Sequence, residues 1–215
     1  MGGYEAAVFD VDGVLTEVDS AWRYIHSRLG TLERAKANAE LYRRGIIDYA
    51  EWARLDASLW RGVPYSRIAE IVEEIPLRKG AGELMEYLRE RGLVLVAISA
   101  GLDVVAERVR RELGMDHAIS NKLLTEEGVV TGEVEVAVEY YNKGEVLEEV
   151  CREIGIETSA CIAVGDSEVD VPMLERAGYG IAFDPKDEEV ARVADEVVRS
   201  GDLRDLLEVF KRILG

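Results

Sequence analysis

The part of the chain that follows Leu93 alternates short apolar runs with amphipathic segments. The apolar runs predict strands over 93–98, about 117–120, 160–164 and 179–183. Helical spacing of apolar residues predicts helices over about 103–113, 144–154, 170–177 and 203–213. Such alternation is typical of a parallel sheet with helices on both faces. Tyr4–Phe9 adds a further strand, and the sequence therefore predicts a doubly wound, Rossmann-like α/β fold.

Two stretches depart from this alternation. Between Asp19 and Pro76 there is no strand candidate, and four segments with helical spacing predict a small all-helical cap inserted after the first strand. Alternating residues on both sides of Glu127-Gly128 predict a β-hairpin insertion. We therefore predict a catalytic core formed by residues 1–15 and 77–215, and a cap formed by residues 16–76. A domain hung beside a site can close over a substrate and expel water.

Polar residues stand where the predicted strands end. Asp10 and Asp12 follow the first strand, Ser99 follows the strand 93–98, and Asp166 follows the strand 160–164. Because parallel strands end at one edge of a sheet, these side chains are expected to lie close together, where α/β folds place their chemistry. Gly13 lets the backbone approach a ligand there, because it has no Cβ.

The order Asp10-x-Asp12, Ser99, Lys143 and Asp166 to Asp170 resembles the haloacid dehalogenase-like phosphohydrolase superfamily. The helical cap, the hairpin and the segment 180–183 resemble its phosphoserine phosphatase-like branch. The resemblance implies a Mg²⁺-dependent phosphomonoester hydrolase in which Asp10 attacks phosphorus and forms an aspartyl-phosphate. Asp12 would protonate the leaving alcohol and later deprotonate the hydrolytic water. Lys143 would stabilise the charge of the transferring group.

The same resemblance implies where Mg²⁺ and phosphate bind. Asp10, the backbone carbonyl of Asp12 and Asp166 would hold the metal, while Asp170 would hold a metal-bound water or orient Lys143. A second set would bind the phosphate by hydrogen bonds and charge: Gly13, Ser99, Ala100, Gly101 and Lys143.

Three positions depart from the phosphoserine phosphatase pattern. Asp19 stands where the branch has a glutamate for the substrate amino group. Asp56 stands where it has an arginine for the serine carboxylate, with Arg54 two residues away as an alternative docking group. Val169 replaces an asparagine before the final aspartate. An acid at a carboxylate-docking position would repel the substrate. Asp19, Arg54 and Asp56 are therefore candidate substrate-binding residues, and they depart from the pattern that binds phosphoserine.

Other functions stay open on the sequence alone. The substrate could be another small phosphorylated metabolite, such as a sugar phosphate, phosphoglycolate or a nucleotide monophosphate. The aspartyl-phosphate could also pass to an acceptor other than water, as in a phosphotransferase or phosphomutase. A non-catalytic phosphate-binding regulatory protein is the least favoured reading, because all the motif residues are present.

Composition excludes several partners. The formal net charge of −17 over 215 residues disfavours binding to nucleic acid or to an anionic membrane surface. No apolar run reaches the ~18 residues of a membrane span.

Cys151 and Cys161 lie in apolar surroundings, which favours buried free thiols over a disulfide. We expect a cytoplasmic protein, a monomer or homodimer, that binds a small phosphorylated metabolite. The lack of glutamine suggests heat adaptation.

The tryptophans of the predicted cap and the two histidines of the chain have the patterns of structural residues. Trp22, Trp52 and Trp60 at helical spacing predict cap core rather than a platform for a ligand. His26 and His117, with no partners visible in the sequence, predict core or surface positions.

Overall fold

A computed structural model, which describes residues 3–215, shows a seven-stranded sheet. Its order is β4-β3-β2-β1-β5-β6-β7, and every neighbouring pair is parallel except β3 and β4. The strands are β1 (Ala6–Phe9), β2 (Val94–Leu102), β3 (His117–Glu126), β4 (Val129–Glu135), β5 (Cys161–Gly165), β6 (Tyr179–Phe183) and β7 (Glu196–Val198). The predicted α/β class is confirmed.

Helices flank the sheet and build the insertion. The insertion contains α1 (Ala21–Leu29), α2 (Leu32–Arg43), α3 (Tyr49–Ser58) and α4 (Tyr65–Glu73). The remaining helices are α5 (Ala81–Glu90), α6 (Asp103–Leu113), α7 (Lys143–Ile154), α8 (Val171–Arg176), α9 (Glu188–Val193) and α10 (Leu203–Leu214). No helix within residues 3–215 is long and apolar enough to cross a membrane.

The central strand β1 is buried on both faces. Successive side chains of a strand point to opposite faces, and here Ala7 and Phe9 join one apolar cluster while Ala6 and Val8 join another. The first cluster includes residues of α5, α6 and α10, and the second includes residues of α7 and α8. This two-sided burial explains why the strand reads as an uninterrupted apolar run.

The insertion leaves and re-enters the core at adjacent points. Thr16 bridges Leu77, and the amide of Glu17 donates to the carbonyl of Pro76 at 3.0 Å. The hairpin β3–β4 also contacts the insertion, because the amide of Gly62 donates to the Val130 carbonyl at 2.9 Å. Helices α1–α4 are therefore joined to the core at their two ends and along the hairpin.

The elements differ from the sequence predictions in extent. The strand predicted at about 117–120 continues to Glu126 and forms the first arm of the hairpin, whose turn residues Glu127 and Gly128 both have positive φ. Helices α5 and α9 and strand β7 were not predicted. Both cysteines are buried free thiols, as predicted, with their Sγ atoms 3.4 Å apart.

Candidate active site

The register of three parallel strands brings the predicted polar residues to one edge of the sheet. Phe9 lies opposite Ala97 of β2 and Val164 of β5. The amide of Asp10 continues the ladder by donating to the Val164 carbonyl at 2.9 Å. Asp10, Ser99 and Asp166 stand one or two residues beyond these partners, so parallel pairing places them side by side.

A cavity of about 430 Å³ opens above this edge, between the core and α1 and α3. Most of the predicted site residues line it. They are Asp10, Asp12, Asp19, Asp56, Ser99, Ala100, Gly101, Lys143 and Asp166. Asp170 lies behind them and is fully buried.

Lys143 forms a buried bridge between two aspartates. Its Nζ donates to Asp10 Oδ1 and to Asp170 Oδ1, each at 2.6 Å. Burial alone would lower the pKa of Lys143, but these two carboxylates raise it, so the lysine is charged. Asp170 Oδ2 accepts from the amides of Asp166 and Ser167 at 2.8 and 3.2 Å. Both oxygens of Asp170 are thus engaged, and the residue holds Lys143 against Asp10.

Burial raises the pKa values of three aspartates of the site. Burial raises the pKa of Asp10 well above its usual range, against the opposing charge of Lys143. Burial likewise raises the pKa of Asp12 and that of Asp166 to about 6. Asp12 Oδ2 accepts from the amide of Ala21 at 2.7 Å, while its Oδ1 is buried without a hydrogen-bond partner among the described residues. Such a cluster favours either protons or a cation.

The donor set fits a hard cation. Carboxylate oxygens of Asp10, Asp166 and Asp170 lie within 4.8 Å of one another, and all three residues are buried. Mg²⁺ prefers oxygen ligands of this kind. Since the oxygens of Asp170 are engaged elsewhere, Asp10 and Asp166 are the better placed ligands.

Gly13 is required by the close approach of Asp166. Its φ of +85° is readily adopted only by glycine, and a Cβ there would lie 1.9 Å from Asp166 Oδ2. Lys186 Nζ is also close to this point, at 2.5 Å from Asp166 Oδ2 and 3.2 Å from Asp19 Oδ1. Lys186 is a site residue that the sequence did not predict, although it follows the predicted strand 179–183 as Asp166 follows the strand before it.

Three side chains hold the C-terminal part of β2 through the carbonyl of Ala100. Ala100 O accepts from Tyr49 Oη at 2.9 Å, from Asn121 Nδ2 at 3.0 Å and from Trp22 Nε1 at 3.4 Å. In a planar trans peptide the carbonyl and the following N–H point in opposite directions. The Gly101 N–H therefore points away from these three donors, and it donates to Ser99 Oγ at 3.0 Å. Tyr49 and Asn121 were also missed, because their roles depend on the packing of cap and hairpin.

The predictions for Arg54, Trp22 and Trp52 need correction. Arg54 does not line the cavity, because its guanidinium points outward from α3 and pairs with both carboxylate oxygens of Glu51 at 2.9 and 2.7 Å. Trp22 and Trp52 line the cavity instead of filling the cap core, whereas Trp60 is fully buried as predicted. His26 is buried, as predicted for a core position, and its Nε2 lies 3.5 Å from Asp56 Oδ2.

The paired carboxylates, the strand-end serine and the buried lysine on an α/β sheet define a hydrolase of the phosphoryl-transfer type. The family model of the haloacid dehalogenase-like hydrolases matches residues 7–175, and the chain belongs to this family.

Known proteins resemble the chain over nearly its whole length. A phosphoserine phosphatase of Methanocaldococcus jannaschii is 31% identical over 95% of this chain and 96% of its own. One of Halobacterium salinarum is 36% identical over 83% of this chain and 85% of its own. The solved structure described as a phospho-aspartyl intermediate analogue of phosphoserine phosphatase superposes with a TM-score of 0.83, at 29% identity, over 97% of this chain and 99% of that one.

Proposed function

We propose that the chain is a Mg²⁺-dependent phosphomonoester hydrolase that works through an aspartyl-phosphate on Asp10. The observation that carries the proposal is the buried Asp10–Lys143–Asp170 arrangement, with both Lys143 contacts at 2.6 Å. Asp10 is held at the floor of the cavity with one oxygen fixed by a cation. That position suits a nucleophile, and the similarity to a phospho-aspartyl analogue structure supports the same role.

Proton transfer falls to Asp12 in this proposal. In the first step an oxygen of Asp10 bonds to phosphorus, the bond from phosphorus to the alcohol oxygen breaks, and Asp12 gives its proton to that oxygen. In the second step Asp12 takes a proton from water as the water oxygen bonds to phosphorus and the acyl-phosphate bond breaks. A carboxyl with its pKa raised to about 6 by burial can serve in both directions near neutral pH.

The cation sites of the proposal are Asp10, Asp166 and the backbone carbonyl of Asp12, with Asp170 in support. Bound Mg²⁺ would neutralise charge on the phosphoryl oxygens, which is needed because the cavity is strongly acidic. Lys143 and Lys186 supply the remaining positive charge. Gly13, Ser99, Ala100 and Gly101 are proposed to bind the phosphoryl oxygens, with the Gly101 amide oriented by the clamp on Ala100.

We further propose that residues 16–76 act as a cap over a core formed by 1–15 and 77–215. The chain leaves the core at Thr16 and re-enters it at Leu77, and the bridge between these two residues supports this division. The proposed cap also contacts the hairpin of the core, where the Gly62 amide donates to the Val130 carbonyl. The enzyme is proposed to be cytoplasmic, which its buried free thiols support.

Phosphoserine, the substrate in the relatives' names, is the first candidate substrate. A second candidate, another small phosphorylated metabolite, is favoured by a specific observation: Asp19 and Asp56 line the cavity and Arg54 does not. A phosphotransferase or a phosphomutase would form the same aspartyl-phosphate and differ from a hydrolase only in passing the phosphoryl group to an acceptor other than water.

The test is release of inorganic phosphate from p-nitrophenyl phosphate and from a panel of metabolite monoesters. Activity should vanish with chelation and return with Mg²⁺, with Ca²⁺ a poor substitute because its larger and looser shell misplaces the reactants. Product analysis with added acceptor alcohol separates hydrolysis from transfer. Full activity after verified removal of metal, or no hydrolysis of any monoester, would contradict the proposal.

A further inference from the structure

One face of α3 forms the cavity wall opposite the catalytic aspartates. Tyr49, Trp52, Ala53 and Asp56 follow the spacing of one helix face, and all four line the cavity. Asp56 is only 5% exposed. A buried carboxylate needs either a proton or a compensating charge.

The neighbours of Asp56 include no lysine or arginine. Asn38 Nδ2 donates to Oδ1 at 2.7 Å, and His26 Nε2 lies 3.5 Å from Oδ2. His26 Nδ1 is 3.1 Å from Trp60 Nε1 and 2.7 Å from Thr31 Oγ1. The Trp60 indole N–H, which can only donate, lies within reach of both His26 Nδ1 and Thr31 Oγ1, at 3.1 and 3.3 Å. Within residues 3–215, no lysine or arginine pairs with Asp56, and His26 is the one basic side chain in an ion-pair position beside its carboxylate.

The rest of this wall is aromatic. Trp22, Trp52 and Tyr140 line the cavity beside Asp56. Trp52 and Tyr140 have their ring centroids 5.7 Å apart, which makes them neighbours in one cluster. Aromatic rings attract cations, best of all quaternary or primary ammonium groups that have lost part of their water.

Nothing on this wall is suited to a carboxylate. No arginine of residues 3–215 lines the cavity, and the lysines that do are both engaged. Lys143 lies between Asp10 and Asp170, and Lys186 lies between Asp166 and Asp19. A substrate carboxylate at the wall would face Asp56 at close range and be repelled.

We propose that the leaving group is a short amino alcohol without a carboxylate, so that the substrate is a phosphate monoester carrying an ammonium group. The inference rests on the proposed phosphomonoesterase function and names its substrate class. The ammonium group compensates the charge of Asp56 and packs against Trp52 and Tyr140, while the phosphate lies over Asp10. The same chemistry covers primary and quaternary ammonium esters.

The test compares isosteric pairs of substrates that differ only in charge. Phosphoethanolamine is matched with n-propyl phosphate, and phosphocholine with 3,3-dimethylbutyl phosphate, in the presence of Mg²⁺. We expect kcat/KM for at least one cationic ester to exceed that of its neutral isostere tenfold or more. We also expect kcat/KM for phosphoserine to fall below that of phosphoethanolamine. Equal values within both pairs, or a clear preference for phosphoserine, would overturn the inference.

Two variants locate the effect. Asp56→Asn keeps the acceptor for Asn38 and removes the charge, so the ratio of kcat/KM between each cationic ester and its isostere should fall toward one. Glu51→Gln is the matched control, since it makes the same change on the same helix outside the cavity, and it should keep the wild-type ratio. An unchanged ratio in Asp56→Asn would contradict the inference.

The outcomes distinguish failure of the proposed phosphomonoesterase function from failure of the proposed substrate class. If p-nitrophenyl phosphate and every other monoester resist hydrolysis, the proposed function fails. If p-nitrophenyl phosphate is hydrolysed and the isosteric pairs are equal, the function stands and the substrate class is wrong.

Discussion

The clamp on the Ala100 carbonyl gives a sharp prediction for Tyr49→Phe. This change removes one phenol hydroxyl that is buried and donates at 2.9 Å. A net loss of about 0.5–1.5 kcal/mol in the free energy of unfolding is expected, which for a chain of this size lowers Tm by about 1–6 °C. Asn121 and Trp22 still hold the carbonyl, so the Gly101 amide is loosened rather than released. We expect kcat to fall roughly three- to tenfold.

The measurements are thermal unfolding and steady-state hydrolysis of p-nitrophenyl phosphate with saturating Mg²⁺. Tyr87→Phe is the matched control, because the Tyr87 hydroxyl is buried without a hydrogen-bond partner among the described residues. Its removal should leave kcat unchanged and should not lower Tm. Wild-type kcat and Tm in Tyr49→Phe, or an equal loss of kcat in Tyr87→Phe, would refute the reasoning.

Three further predictions concern the aspartates. Under single-turnover conditions, Asp12→Asn should lose much more activity on an alkyl phosphate than on p-nitrophenyl phosphate, whose leaving group needs no proton; equal losses would argue against an acid role. Mg²⁺ should raise the Tm of the wild type and have little effect on Asp166→Asn, and an equal rise in both would remove Asp166 from the metal site. Burial raises the pKa of Asp12 from its ordinary 3.8 to about 6, so the metal-free folded state binds this proton more tightly than the unfolded state. The resulting stability is present below about pH 4 and is lost as pH rises through 6, by up to about 3 kcal/mol. The free energy of unfolding, measured against pH by denaturant titration, should therefore fall less steeply over this range in Asp12→Asn, and identical curves would contradict the shift.

The position of the catalytic residues at one edge of the sheet could be predicted, because each residue directly follows its own strand and parallel strands end at the same edge. Asp10, Ser99 and Asp166 each follow an apolar run, and the register of β1, β2 and β5 aligns the ends of those runs. This prediction does not depend on how the helices of the insertion or the hairpin pack. The predicted contact of these residues follows from sheet geometry alone.

The substrate side could not be predicted in the same way. Whether a residue of α3 faces the cavity depends on how the cap helices pack, and a shift of two positions decides between Asp56 in the wall and Arg54 in solvent. The clamp by Asn121 depends on where the hairpin begins, and the predicted strand ended one residue before it. Helix α9 and strand β7 are only 6 and 3 residues long, too short for a clear periodic pattern.

Formation of a phosphoryl bond on Asp10 tests the account most directly. The protein is mixed with p-nitrophenyl phosphate and Mg²⁺, quenched in acid during turnover and digested, and the peptide containing Asp10 is weighed by mass spectrometry. We expect a fraction of this peptide to be heavier by one phosphoryl group, which fragmentation should locate on Asp10. The heavier peptide should be absent from a folded, inactive Asp10→Asn variant. Hydrolysis by Asp10→Asn at the wild-type rate, or a phosphoryl group on another residue during turnover, would contradict it.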